Sequence, residues 1–322
     1  MSEMAAQSDQ RERLSVGESK SAPLAFEDIT VRYGKVTALS EVTTTFDPGL
    51  NVILGPNGSG KTTLFRVGAG VLPPDSGDVR IEGTDPFVNP GVKRSIAYLP
   101  HGTPLNAQLT VRENLEYWGR VHGFDSERRE RHIDRVADTM DLTPLLNRPG
   151  TDLSRGQKQR VTIARCLLPD PSIIILDEPT TGLDPATADA LRDRLDSLAD
   201  EGRTLCYSTH NLYEAEILAD QLTIIRNGRI VTQGPKTELI ERLQSGEPTA
   251  VRLSCDATKD DFDALGVQAR RDGEEWVVDL PPDRIVSDLV RDLVGRDVAI
   301  RAVRPEEATI EQLYREFTED DE

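Results

Sequence analysis

Cysteine is scarce. Cys166, Cys206 and Cys255 are scattered through 322 residues with no C-x-x-C spacing. That pattern points to neither a zinc site nor a disulfide framework. Cys166 and Cys206 sit in apolar runs and read as buried fillers. Lysine is scarce too, at seven of 38 basic residues, and the formal net charge is −18. So acidic a chain does not present a nucleic-acid-binding surface as its main function. An acidic, lysine-poor surface is the expectation for a protein working at high salt. Long apolar runs are missing: none approaches the ~18–20 residues needed to span a bilayer. Residues Met1 to Lys20 are polar and lack the apolar core of a secretory signal. The expectation is a chain soluble by itself, with any membrane connection made through a partner.

The composition is globular, with 37% hydrophobic residues, and the length suits one large domain or two ordinary ones. The organising stretch is Gly55-Pro56-Asn57-Gly58-Ser59-Gly60-Lys61-Thr62-Thr63, which fits G-x-x-x-x-G-K-[ST]. The β-branched run Leu50 to Leu54 before it reads as a buried strand, and Thr63 to Val67 as the start of a helix. Glycines at 55, 58 and 60 free the backbone to point successive N–H groups inward around phosphate oxygens, aided by the positive end of the following helix. Lys61 then reaches the outer phosphates, and the Thr62 hydroxyl is placed for Mg²⁺.

Residues 1–22 form a polar tail too poor in apolar area to order itself. Strands are expected at Leu24 to Arg32 and Val36 to Phe46. Tyr33, in the turn between them, either stacks on a purine base or packs on the protein. Thr110 with Glu113 forms a capping box for a helix to Gly123, and Ile133, Val136, Ala137 and Met140 keep helical spacing. Ser154 caps a helix beginning Arg155-Gly156-Gln157. The run Ser172 to Leu176 reads as a central parallel strand, ending in Asp177 and Glu178 where open α/β sheets bind ligands. Asp177 can hold Mg²⁺ through water, and Glu178 can orient or deprotonate a water, or the pair can be a plain acidic turn. Asp184 caps a helix with Pro185 at its first position. His210 follows the next strand, and Asn227-Gly228 closes a hairpin. After Pro248 a small α/β domain is expected, with strands at Val251 to Ser254, Trp276 to Leu280 and Val298 to Arg301.

With these motifs in this order, the chain resembles the ATP-binding cassette (ABC) ATPases over roughly Leu24 to Gln244, and the segment Leu153 to Gln157 is the decisive element. The resemblance implies an α/β fold: a P-loop NTPase core with a mostly parallel sheet, an antiparallel β subdomain, a helical subdomain and a small C-terminal α/β domain. The implied division is a tail at 1–22, the ATPase at 23–245 with a helical subdomain at about 102–160, and an accessory domain at 248–322. It implies that Tyr33 stacks on adenine and that Gly55 to Thr63 hold the phosphates. Ser154, Gly156 and Gln157 would close on ATP held by an opposite subunit, and Asp184 would couple the two sites. Asp177 and Thr62 would serve the metal, and Glu178, His210 and Lys61 the chemistry. His101 stands where the family usually has glutamine, and a histidine there can contact the γ-phosphate or water. Arg155 stands where the family usually has glycine, and either adds a positive charge near a phosphate or faces solvent, the reading favoured here.

The implied cofactors are ATP and Mg²⁺. The implied partners are a separate transmembrane permease and a second cassette, identical or paralogous, with no nucleic acid. The implied place is cytoplasmic, on the inner face of the membrane. The end of the chain, Thr309 to Phe317, resembles that of exporter cassettes, so export is expected, with Tyr117 and Trp118 as candidate permease contacts. Two other readings remain open on the residues: a soluble ABC ATPase of translation or repair, and a regulatory nucleotide-binding module.

Overall fold

A computed structural model describes residues 22–102, 105–244, 250–281, 284–305 and 309–319. The expected tail falls outside them except for its last residue, as does Pro248. The chain divides into two compact units, Met1–Gly49 with Thr62–Cys206, and Leu50–Lys61 with Tyr207–Glu322.

In the first unit, strands Leu24–Tyr33, Val36–Phe46 and Ser76–Ile81 form an antiparallel sheet with the first in the middle. Its buried side is carried by Leu24, Phe26, Ile29, Val31 and Phe46, with Phe26 and Phe46 edge to face at 5.8 Å. Strand Ile96–Leu99 pairs in parallel with Ile173–Asp177. All five residues of the latter are buried, and the first four, Ile173 to Leu176, are an unbroken apolar run rather than an alternating one because both faces are covered.

Helices Val111–Val121, Ser126–Thr139 and Arg155–Leu167 pack on one another. Each starts at a side-chain cap, Thr110, Asp125 and Ser154 respectively, which satisfies N–H groups that have no partner inside the helix. Asp170 ties this block to the segment before strand Thr204–Thr209: its carboxylate pairs with Arg135 and, at 2.9 Å, with Arg203. Helix Pro185–Asp200 starts at Asp184, with Ala188, Leu191, Leu195 and Leu198 buried along one stripe.

In the second unit the P-loop strand Gly49–Leu54 pairs in parallel with Gln221–Arg226. The latter turns back through Asn227 and Gly228, with φ of 50° and 74°, into Arg229–Pro235. Two positive φ values are what an Asn-Gly hairpin supplies.

The C-terminal segment runs strand Ala250–Cys255, helix Lys259–Asp263, strands Ala269–Asp272 and Glu275–Asp279, helix Val286–Val294, strand Ile300–Pro305. Its sheet is antiparallel, in the order second, third, first, fourth. That βαββαβ arrangement is ferredoxin-like. Phe262, Trp276, Leu289 and Leu293 fill its core, and the Trp276 indole donates to the Ala257 carbonyl at 3.1 Å. The last helix, Ile310–Glu319, packs instead on helices Leu212–Leu218 and Lys236–Gln244. Its Ile310 N–H donates to Glu216 Oε2 at 2.9 Å. Among the described residues no helix is long and apolar enough to cross a membrane.

Candidate functional site

The glycine loop leaves its strand at Gly55, where a Cβ would stand 2.4 Å from the Ile225 carbonyl oxygen, so only glycine fits. Gly58 and Gly60 take φ of 81° and 110°, a region that side chains disfavour. The missing Cβ of Gly58 would face open space, so backbone is accessible at that point. Lys61 is buried and its ammonium donates to the carbonyls of Gly55 and Pro56, at 2.7 and 3.1 Å. The loop thus wraps its own lysine. Ser59 Oγ is buried with no hydrogen-bond partner among the described residues, an orphan that a ligand oxygen or bound water would satisfy. Pro56 and Asn57 are exposed. The helix begins at Lys61 rather than Thr63, inside the motif, because the loop's last glycine delivers the chain directly into helical geometry.

In the first unit Thr62 and Asp177, 115 positions apart, are brought together: the hydroxyl donates to Asp177 Oδ2 at 2.8 Å. A hydroxyl beside a buried carboxylate is the oxygen-donor set a small divalent cation takes. Next to Asp177, Glu178 has φ of 50°, a left-handed conformation that is uncommon for a side-chain-bearing residue and concentrates at functional sites. Thr181 holds it there, donating from its hydroxyl to Glu178 Oε2 at 3.2 Å and from its N–H to the Glu178 carbonyl at 3.3 Å. Thr181 was not singled out from the sequence; the signal was its place between Glu178 and Asp184.

Tyr98 lies on the strand beside Asp177's. Its hydroxyl is buried without a hydrogen bond of good geometry among the described residues. Burial and then the Asp177 charge push its pKa up, while the Arg66 guanidinium opposes them. Arg66, in the helix that follows the P-loop, is in turn raised, chiefly by Tyr98 and also by Tyr33. Tyr33 itself is half exposed at its turn.

Ser154 is exposed, and its hydroxyl accepts from the Gln157 N–H at 3.2 Å while the Gln157 side chain accepts from the Ser154 N–H at 3.0 Å. Gly156 is buried against helix Pro185–Asp200: a Cβ would lie 2.1 Å from Thr187 Cγ2. Arg155 is exposed as expected, yet not idle. It donates to the Thr181 carbonyl at 3.0 Å and its guanidinium covers Gly182. Asp184 uses both carboxylate oxygens on Thr187, at 3.0 and 2.7 Å, and these bonds, the hydroxyl's first, lower its pKa. His101 is exposed in the turn after strand Ile96–Leu99. In the second unit His210 is exposed directly after strand Thr204–Thr209. Tyr117 is exposed, whereas Trp118 is partly covered by Arg165, 4.8 Å from the ring centre. Burial raises the thiol pKa of Cys166, Cys206 and Cys255, so none is a ready nucleophile.

The family described as ABC transporter matches residues 39–181. The Nod factor export ATP-binding protein I of Rhizobium etli is 34% identical over 68% of this chain and 70% of its own length. The ABC transporter ATP-binding protein NatA of Bacillus subtilis is 35% identical over 68% of this chain and 90% of its own. The chain belongs to the ABC transporter family. It is an ABC ATPase, an ATP-binding subunit of a transporter, which sets aside the translation, repair and regulatory readings.

The linearmycin resistance ATP-binding protein LnrL of Bacillus subtilis is 27% identical over 92% of this chain and 98% of its own length, so that ABC relative also matches beyond the cassette. A solved ATP binding subunit of an ABC transporter superposes with a TM-score of 0.61 at 30% identity, over 69% of this chain and 94% of that one. An ATP-binding cassette solved in its ADP conformation gives 0.61 at 28%, over 67% and 91%. As in those ABC subunits, the P-loop core is an α/β fold that binds ATP.

Proposed function

We propose that this chain powers export through a separate membrane permease, by ATP-driven closure of a dimer of cassettes, identical or paralogous. The observation that carries the hydrolytic reading is the 2.8 Å contact of Thr62 with Asp177, beside the left-handed Glu178. The direction of transport is supported by relatives named for Nod factor export and linearmycin resistance. On this reading residues 23–245 are the cassette, with its helical subdomain at about 102–160, and 248–322 are an accessory domain. The chain works on the inner face of the membrane, held there by the permease, with Tyr117 among its contacts.

Tyr33 stacks on adenine; the loop Gly55 to Thr63 and the Lys61 ammonium surround the polyphosphate. Thr62 and Asp177 hold Mg²⁺, which when bound neutralises charge on the phosphates. Glu178 orients and deprotonates the attacking water. His210 contacts the γ-phosphate, and His101, in the place of the family's usual glutamine, contacts the γ-phosphate or the attacking water. Ser154, Gly156 and Gln157 meet the triphosphate held by the opposite copy, and Asp184 couples the two sites. Closure then depends on the γ-phosphate, and hydrolysis releases it.

Glu178→Gln in the purified full chain tests this. Turnover falls by about 10²–10⁴-fold, ATP still binds, and light scattering after gel filtration with ATP and Mg²⁺ finds a dimer. Undiminished hydrolysis, or a monomer under those conditions, overturns the reading.

A further inference from the structure

Behind His210 sits a carboxylate with no part in the reading above. Glu214 is 6% exposed, in the short helix Leu212–Leu218. Two hydroxyls donate to one of its oxygens, Oε2: Tyr207 at 3.0 Å and Thr209 at 2.6 Å. Burying a carboxylate is costly unless hydrogen bonds compensate, and bonds to a carboxylate are short and strong. The placement of those donors matters. Thr209 is the residue before His210, and Asn211, the residue after it, donates its N–H to the Thr209 hydroxyl oxygen at 2.9 Å. The Thr209 carbonyl also accepts from the N–H of Gly55, the first P-loop residue, at 3.3 Å.

A hydroxyl has one proton and two lone pairs. Because Thr209 gives its proton to Glu214, it turns a lone pair toward Asn211. The backbone on both sides of His210 is thereby closed onto one oxygen, and that oxygen is fixed by the buried carboxylate. We propose that Glu214 is a positioning residue for His210, acting through the Thr209 hydroxyl to hold the His210 loop in register with the start of the P-loop. The proposal rests on the assignment of His210 to the γ-phosphate. Glu214 touches no substrate in this scheme. Its substitution by glutamine removes the charge and adds a competing donor, which leaves the Thr209 hydroxyl free to rotate.

The test uses the full chain with two readouts, steady-state ATPase and amide hydrogen exchange. Glu214→Gln is expected to lower kcat about tenfold or more, with KM for ATP within about twofold, the split expected when an interaction belongs to the transition state. Exchange is expected to quicken at 209–213 and to stay unchanged in helix Arg155–Leu167. Thr209→Val should reproduce both effects, and Thr209→Ser, which keeps the hydroxyl, should recover them. This pair also decides the matter if Glu214→Gln does not fold. Unchanged exchange at 209–213 in Thr209→Val or Glu214→Gln overturns the proposal, as does an equal fall in kcat for Thr209→Ser and Thr209→Val. His210→Ala separates the two assignments. Full activity in that variant sinks the role of His210, whatever the exchange shows. Lost activity there, with Glu214→Gln as active as the native chain, sinks the role of Glu214 alone.

Discussion

Gly156 and Thr187 are in contact so close that a single added carbon on Gly156 would sit 2.1 Å from the threonine methyl. The start of helix Arg155–Leu167 is therefore seated on the helix that Asp184 caps, and Arg155 reaches from the same turn to the Thr181 carbonyl. Gly156→Ala is expected to destabilise the chain by about 1–3 kcal/mol, the range for overfilling a packed site, although alanine is the better helix former. Thr187→Ser deletes the opposing methyl and keeps the hydroxyl bonded to Asp184. The double variant should recover most of the lost stability in thermal unfolding. A Gly156→Ala protein as stable as the native one would show that the contact yields freely.

The Thr62 hydroxyl on Asp177 predicts a metal-specific defect. Thr62→Val keeps the side chain's shape and removes the oxygen. ATPase should fall by about 10²–10³-fold, the cost of losing a group that meets developing charge, while nucleotide binding in EDTA changes little. Titration with Mg²⁺ is the measurement, and an unaltered metal dependence would remove Thr62 from the site.

Asp170 gives the chain a pH signature. Burial works to raise its pKa, but Arg135 and Arg203 outweigh burial and hold it below the ordinary carboxylate value. A carboxyl whose native pKa is depressed contributes stability above its unfolded value of about 3.9, and loses it as the pH falls through the lower native value. Asp170→Asn should therefore lower Tm at pH 7, with the gap to the native chain closing as the pH drops below about 4. Asp170 has φ of 61°, and asparagine tolerates that region, so the variant isolates charge from backbone. A gap that persists unchanged into acid would point to shape instead.

What could be read in advance was what neighbours along the chain decide. The strand before Gly55, the caps at Thr110, Ser154 and Asp184, and the Asn227-Gly228 turn are set within a few residues, and the structure places each as expected. Strand Ala269–Asp272 was not expected. Its Ala-Arg-Arg-Asp has neither alternation nor β-branched residues, and it exists because Gly273, with φ of 59°, folds it onto Glu275–Asp279. The last strand lies at Ile300–Pro305 rather than Val298 to Arg301, set by its pairing with Ala250–Cys255. In the sequence Glu214 is one of 56 acidic residues with nothing to single it out. Only the fold, by bringing Tyr207 and Thr209 to it, distinguishes it from its neighbour Glu216, which holds Ile310.

That last grip changes how the C-terminal extension should be thought of. Joined to the rest of its unit through the chain, the segment after Ala250 is stitched down again by helix Ile310–Glu319, on the helix that starts two residues past His210. A shortened protein ending before Ile310 would cut the second stitch and uncover the apolar seam beneath Ile310 and Leu313, so the extension belongs to the ATPase as a strap belongs to a buckle.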